Sequence, residues 1–245
     1  MRQVPRKFLI IGAGRLARHL SFYLKSQGLC VLNWKRLDSS CGFHLSASEK
    51  ADLQEKSRQC EVVLLAIKDQ AIAPFVQANE FLKENLLIHF SGALSLKECY
   101  SMHPLMTFGQ KLYSLDFYPK IPFVLEEKSP SFSEVFFPLK NPWFRLEAEK
   151  KPLYHALCVA SGNFTVLLWQ EIMRRFQEEL NLPAEILKPY LFKTMENLVS
   201  HSESALTGPL QRGDQKTIQL NLEALRGSQL FDVYKSFLNL SQVVH

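Results

Sequence analysis

The chain has few cysteines. Five occur in 245 residues, at Cys30, Cys41, Cys60, Cys99 and Cys158, and no two have C-x-x-C spacing. An odd, dispersed set excludes a disulfide framework and a structural zinc site, and it fits a reducing cytoplasm. The seven histidines include no H-x-x-x-H pair, so no metal is expected. No apolar run reaches the ~18 to 20 residues of a membrane span. The opening residues Met1-Arg2-Gln3-Val4-Pro5-Arg6 lack the apolar centre of a signal peptide. A dense basic stripe is also missing, which argues against nucleic acid as a partner. The net charge of +5 nevertheless has a location: residues 1–148 hold 19 Lys/Arg against 14 Asp/Glu, whereas residues 149–245 hold 10 of each. The cationic excess therefore lies in the first part, where a ligand with several phosphates would find it.

Glycine is sparse too, at 10 residues, yet two stand together in Gly12-Ala13-Gly14-Arg15-Leu16-Ala17. Before them Phe8, Leu9, Ile10 and Ile11 form a short apolar run suited to a strand buried on both faces. After them Leu16, Leu20, Tyr23 and Leu24 recur at helical spacing until Gly28 stops the helix. Strand, glycine turn and helix in that order put the free N–H groups of a helix N-terminus where a pyrophosphate can rest. Gly12 would make the tight turn, Gly14 would admit the cofactor to the backbone, and Ala17 would allow close packing of helix on strand. Ala13, Arg15 and Leu16 complete the cofactor-binding turn.

The next strand, residues 29–34, ends in Lys35-Arg36, where an acidic residue would hold a free ribose 2′-hydroxyl. Two cations instead suit a 2′-phosphate, and NADP(H) is the expected cofactor. Asp38, two residues on, keeps NAD(H) open. Further strands are expected at 61–67, 86–90, 100–103, 121–125 and 143–146. Residues just beyond strand ends face the ligand crevice of such a sheet, which makes Ile67 and Ser91 cofactor contacts. From about residue 149 helical patterns take over, at 154–180, 184–201, 214–225 and 229–243. The expected architecture is an α/β dinucleotide-binding domain with a mostly parallel sheet (1–148), followed by an all-α domain (149–245).

Two stretches of the helical part carry candidate chemistry. In His155-Ala156-Leu157-Cys158-Val159-Ala160-Ser161-Gly162-Asn163, His155 and Asn163 lie two helical turns apart, with small residues between. That pattern fits either a site or tight helix packing through Ala156, Ala160 and Gly162. In Thr207-Gly208-Pro209-Leu210-Gln211-Arg212-Gly213-Asp214, Gly-Pro breaks one helix and Asp214 can cap the next. Capping does not account for Thr207 and Arg212, which suit a carboxylate-bearing ligand.

Taken with Ser91-Gly92 and His103-Pro104-Leu105-Met106-Thr107-Phe108, these stretches resemble the Rossmann-like oxidoreductases whose C-terminal domain was catalogued as a domain of unknown function. That family is related to the 6-phosphogluconate dehydrogenase and ketopantoate reductase group. The resemblance implies a Rossmann domain, a 6-phosphogluconate-dehydrogenase-like helical domain that often forms a dimer interface, and NAD(P)-dependent reduction of a small oxo-acid. The specific expectation is NADPH-dependent reduction of a branched 2-oxoacid, 2-dehydropantoate to pantoate, as in pantothenate synthesis. A non-catalytic NADP(H)-binding sensor or scaffold is the alternative. Related reductases commonly use a lysine as proton donor. None stands beside Asn163, and the spacing of Lys193 does not require it, so His103 and His155 are the expected donors. Asn163 would orient the substrate oxygen, and Thr207 and Arg212 would receive the carboxylate. The chain departs from the family by an extra Gly162, expected to displace Asn163 about the helix by about 100°.

Overall fold

A computed structural model describes residues 6–36 and 45–244. Asp38 and Cys41 lie outside the described residues. The chain divides into two compact units, residues 1–166 and 167–245.

The first unit is built on one seven-stranded sheet of order β2-β1-β3-β4-β5-β6-β7. Its strands are β1 (Phe8–Ile11), β2 (Val31–Trp34), β3 (Val62–Leu65), β4 (Leu86–His89), β5 (Tyr100–Pro104), β6 (Phe123–Glu126) and β7 (Trp143–Leu146). The first five are parallel, β6 runs antiparallel to β5, and β7 runs parallel to β6. Helices α1 (Arg15–Ser26), α2 (Ala47–Arg58) and α3 (Asp69–Ala78) connect the first four strands. This is the Rossmann-like arrangement expected from the alternation of apolar runs and helical periods. Strand order reverses at β1: the chain steps out to β2 and returns past β1 to β3, which leaves a crevice at the strands' C-terminal ends.

Burial follows the alternation of side chains along each strand. Phe8 and Ile10 join one core with Leu20, Leu24, Leu64 and Phe136. Leu9 and Ile11 join another with Trp34, Leu53, Leu65 and Phe75. Both faces of β1 are fully covered, which is why its sequence is a continuous apolar run. Beyond β5, α4 (Phe132–Phe136) begins at a capping box in which Ser131 and Glu134 satisfy each other's backbone N–H groups.

The first unit also contains the start of a long helix. After a short 3₁₀ turn come α5 (Lys151–Val159), a π-helical turn (Ala160–Phe164) and the first residues of α6 (Thr165–Glu178). A π-turn spends one more residue than an α-turn before the helix resumes. The extra Gly162 is thus taken up inside the turn, and α6 continues the helix. Asn163, expected to be displaced by the insertion, lies within this π-turn. Within this chain the packing alternative is not made at Ala156, Ala160 and Gly162: all three are exposed, and a Cβ on Gly162 would meet nothing within 4 Å.

Strands end at Leu146, close to the junction expected at 148, whereas the compact units divide at 166/167, inside the long helix. The second unit holds the rest of α6 and α7 (Leu187–Ser200), α8 (Gly208–Arg212), α9 (Gln215–Leu225) and α10 (Gln229–Val244). Its packing is thin. Leu187 and Ile218 are buried, while Phe192 is 72% exposed and Val199 87% exposed. The stretch Ala148–Glu178 contains no unbroken apolar run of spanning length, yet as a 31-residue helix it is long and apolar enough to cross a membrane by length and composition.

Candidate active site

The glycine turn joins β1 to α1 as its sequence predicts. Gly12 has φ 129°, and a Cβ there would stand 2.3 Å from the Ala66 carbonyl oxygen at the end of β3. Only glycine tolerates both the backbone and the approach. Ile67 packs on the same spot, its Cγ2 3.4 Å from that position. Gly14 differs: it is the N-cap of α1 in extended conformation, and a Cβ would meet nothing within 4 Å. The open space beside Gly14 faces a helix end that has no side-chain cap and no acidic residue in its first turn. The N–H groups of Arg15, Leu16 and Ala17 lack intrahelical acceptors, so this end favours an anion.

An open groove of about 830 Å³ runs from this turn along α1. Gly12 and Ala13 form one end, and Asn33 and Lys35 from the end of β2 form a wall. Arg18 and Lys25 on α1 add two cations beyond those that the strand end predicts. A phosphate-rich dinucleotide fits this donor set: free N–H groups at the turn, then Arg18, Lys25 and Lys35 along the groove. Arg36, next in the chain after Lys35, is half-buried and is not among the lining residues.

A second cluster sits at the C-terminal ends of β3, β4 and β5, within the same unit. Ser91, just past β4, is its hub. Its hydroxyl donates to Asp69 Oδ2 at 2.5 Å and accepts the N–H groups of Ala93 and Leu94. Its N–H donates to His89 Nδ1 at 3.2 Å. Its carbonyl accepts from Ser101 Oγ at 3.2 Å and from Lys151 Nζ at 3.3 Å. Lys151 also donates to Ser101 Oγ at 2.5 Å. Lys151 starts α5, is 3% exposed, and was not anticipated from the sequence. Burial pulls its ammonium down to about 8 against the opposing pull of Glu126 and Asp69.

Three aromatic side chains stand beside this hub. His103 Nδ1 lies 2.7 Å from the Tyr154 hydroxyl, and its ring is 6.3 Å from that of His155. Gly92 fits between the imidazoles: a Cβ there would lie 2.7 Å from His155 Cδ2 and 3.2 Å from His103 Nε2. Burial, with His155 and Lys151 adding to it, lowers His103 to about 4, so the ring is neutral at pH 7. Burial raises Tyr154, which keeps its proton and can donate it to Nδ1, leaving a proton on Nε2.

Sequence-predicted residues therefore fall into three groups. Gly12, Ala13, Gly14, Arg15, Leu16 and Ile67 lie at the turn, Lys35 lines its groove, and Arg36 follows Lys35 in the chain. Ser91, His103 and His155 meet at the strand ends. Asn163 is exposed on the π-turn, and no hydrogen bond of its side chain is seen. Thr207 and Arg212 belong to the second unit, where Thr207 is the N-cap of α8 without a side-chain bond and Arg212 is exposed. Asp214 caps α9 as expected, accepting from Thr217 N at 3.1 Å. Among the described residues no group of His, Cys, Asp and Glu is arranged to hold a metal.

The comparisons agree on the fold. Residues 125–239 match a family described as a domain of unknown function, DUF2520. Among solved structures the chain is similar to BF3122 of Bacteroides fragilis, provisionally described as an NADP oxidoreductase, with 20% identity, a TM-score of 0.72 and 98% of each chain covered. Protein TM1727 of Thermotoga maritima is 25% identical over 97% of each chain, with a TM-score of 0.69. Pyrroline carboxylate reductase of Plasmodium falciparum, solved with NADP bound, is 12% identical over 98% of this chain and 99% of that one, with a TM-score of 0.57. No curated protein matches.

Proposed function

We propose that the chain is an NADP(H)-dependent reductase of a small compound carrying a C=O or C=N group. The observation that carries this reading is Lys151: an ammonium buried at the C-terminal ends of a parallel sheet, on the Ser91 carbonyl and beside His103. It shares one compact unit with a glycine turn and cationic groove fit for a dinucleotide phosphate. Structures of similar fold include a provisionally described NADP oxidoreductase and enzymes solved with NADP or NADPH bound, which supports the cofactor assignment.

Bound NADPH would supply the hydride. The chain would do the rest. His103 would donate a hydrogen bond from Nε2 to the substrate oxygen or nitrogen, with Tyr154 fixing the tautomer from Nδ1. Lys151 would hold a proton at Nζ: at about 8 it is protonated at pH 7, yet it releases the proton far more readily than an exposed lysine. Its third N–H is not used by Ser91 or Ser101. His155 would close the other side of Gly92, and Asn163 would orient the substrate; Thr207 and Arg212 keep the carboxylate-binding role that their residue types suit. Lys151 thus replaces His103 and His155 as proton donor in this proposal, and His103 becomes the group that polarises the reacting bond.

For the substrate we retain a branched 2-oxoacid such as 2-dehydropantoate, the carbonyl arm that the resemblance implies. An imine is the second arm, because structures similar to this chain include a pyrroline carboxylate reductase and an imine reductase. A homodimer through the exposed apolar side chains of the helical residues is part of the same proposal; a monomer by sedimentation equilibrium at micromolar concentration would remove it. The decisive experiment pairs NADPH binding with oxidation of NADPH by 2-oxoacids and cyclic imines. Lys151→Met should bind NADPH as the parent does and lose about 10²- to 10⁴-fold in kcat. Equal turnover by that variant would end the reading.

A further inference from the structure

The polar cluster extends one strand beyond anything the proposed reaction uses. His89 on β4 pairs in register with Ser101 on β5. Met102 pairs with Leu125, so the same register set one residue further puts Ser101 opposite Glu126 at the end of β6. Residues opposed in this way share a face of the sheet. His89, Ser101 and Glu126 therefore form a polar row on one face, and Lys151 reaches its middle member.

Glu126 is 3% exposed, an uncommon place for a carboxylate. Its two oxygens are used unequally. Oε1 accepts from Ser95 Oγ at 2.8 Å and from Lys128 Nζ at 3.1 Å. Oε2 is buried without a hydrogen-bond partner. Lys128 is partly solvated, its side chain 42% exposed, and is also anchored on the Leu96 carbonyl at 2.8 Å. A fold that needed Glu126 only as a strut would satisfy both oxygens, because a bare buried carboxylate oxygen is costly. A carboxylate whose one ion-pair partner is partly solvated, on the face where a buried ammonium lies, offsets the cost of burying that ammonium.

We propose that Glu126 is a positioning residue for Lys151: from the far side of Ser101 its carboxylate keeps the lysine charged, and Lys128 moderates that effect by sharing Oε1. The inference rests on the reading of Lys151 as the proton-holding group. The charged and titratable groups around Lys151 are Asp69 on α3, His89 on β4, His103 on β5, Glu126 and Lys128 at the end of β6, and Tyr154 and His155 on α5 itself. Their directions agree: Glu126 and Asp69 favour the ammonium, and Lys128 and burial oppose it. Asp69 is exposed and accepts from the Ser91 hydroxyl, which leaves Glu126 as the carboxylate with a buried, unbonded oxygen.

The two partners give opposite signs, which makes the test sharp. The Lys151 titration is read directly, by the pH dependence of the lysine Cε and Nζ resonances or of labelling at that residue, with no cofactor or substrate present. Glu126→Gln should move the titration down by about one pH unit or more, and Lys128→Met should move it up. Glu126→Asp should restore part of the parent value. In steady-state assays the alkaline limb of kcat should move the same way in each variant, with NADPH affinity unchanged. An unmoved Lys151 titration in Glu126→Gln overturns the inference. Should that variant fail to fold, an unmoved titration in Lys128→Met overturns it instead. If the titrations move as expected while kcat keeps its pH profile, the reading of Lys151 as proton donor fails and takes the inference about the reaction with it.

Discussion

The two compact units treat their apolar residues in opposite ways. In the first, every side chain of β1 and β3 is buried, and buried polar groups elsewhere in the unit are tied to one another across long sequence separations. In the second, Leu187 and Ile218 are buried while Tyr190, Phe192, Val199 and Leu220 stand exposed. A sheet covered on both faces completes its core within one chain. A set of amphipathic helices leaves apolar surface wherever no partner meets it. The first unit therefore fixes atoms to within hydrogen-bond distance, and its functional residues can be read from geometry. The second offers residue types without fixed partners. Substitutions should follow the same division: large effects where the fold has closed around a residue, small ones where it has not.

Among the substitutions, the largest loss of stability is expected at Gly12. A methyl group there meets the Ala66 carbonyl at 2.3 Å on a backbone with φ 129°. Gly12→Ala should cost about 3 kcal/mol or more, read as a fall of ~10 °C in Tm. Gly14→Ala is the control, since its Cβ enters open space. It should leave Tm within about 2 °C while weakening NADPH binding, because that space is where the pyrophosphate would lie. Equal losses of stability in both variants would show that the turn is held by something other than this contact.

The next effect concerns pH. His89 is fully buried and held at about 3, chiefly by burial, with Lys151 and Lys128 adding to it. His103 is held at about 4. Both titrate near 6.5 in the unfolded chain, so between 6.5 and 4 the unfolded state binds more protons than the folded one. Stability is complete above 6.5 and is lost as pH falls through this window, continuing towards 3 on account of His89. The loss should be about 3 kcal/mol for each ring between pH 6.5 and 4, roughly 5–6 kcal/mol for the pair, measured by urea unfolding. His89→Asn should flatten the slope. A parent slope of zero would mean that both rings are hydrated.

These residues also mark how far the sequence could be read. The glycine turn was legible because strand, turn and helix are contiguous, and each has a local cause. The mostly parallel sheet followed from apolar runs separated by helical periods. Lys151 was not legible: its partners Ser91 and Ser101 lie 60 and 50 residues away, and its own neighbours read as the start of a helix. The hub at Ser91 was visible as a strand end, but its bonds to Asp69 and His89 come from the sheet order. The π-turn escaped as well, since a 3.6-residue period carries no sign of where one turn takes an extra residue.

At the groove the contrast between the units is sharpened by charge rather than packing. Lys35 and Arg18 are exposed, so removing them should not unfold the chain. Neutralising Lys35 and Arg36 together should weaken NADPH binding by about 2–4 kcal/mol if two charge-assisted contacts to the 2′-phosphate are lost, with NADH barely affected. Titration with both cofactors checks this. A parent that prefers NADH would redirect attention to Asp38.

The smallest effects belong to the second unit, where adjacent residues separate binding from stability. Asp214 accepts from Thr217 N at 3.1 Å and Thr217 Oγ1 at 2.7 Å, a working N-cap. Asp214→Ala should cost about 1 kcal/mol of stability. Arg212, two residues earlier, is exposed at the end of a five-residue helix whose turn is made by Gly213 at φ 66°. Arg212→Ala should leave Tm unchanged. If Arg212 receives the substrate carboxylate, the same change should raise KM for a 2-oxoacid about tenfold, the worth of one exposed charge-assisted contact, and leave kcat nearly constant. A carbonyl substrate without a carboxylate should show no difference between parent and variant. That comparison isolates the guanidinium from the fold around it: an unchanged KM for the 2-oxoacid would remove Arg212 from substrate binding.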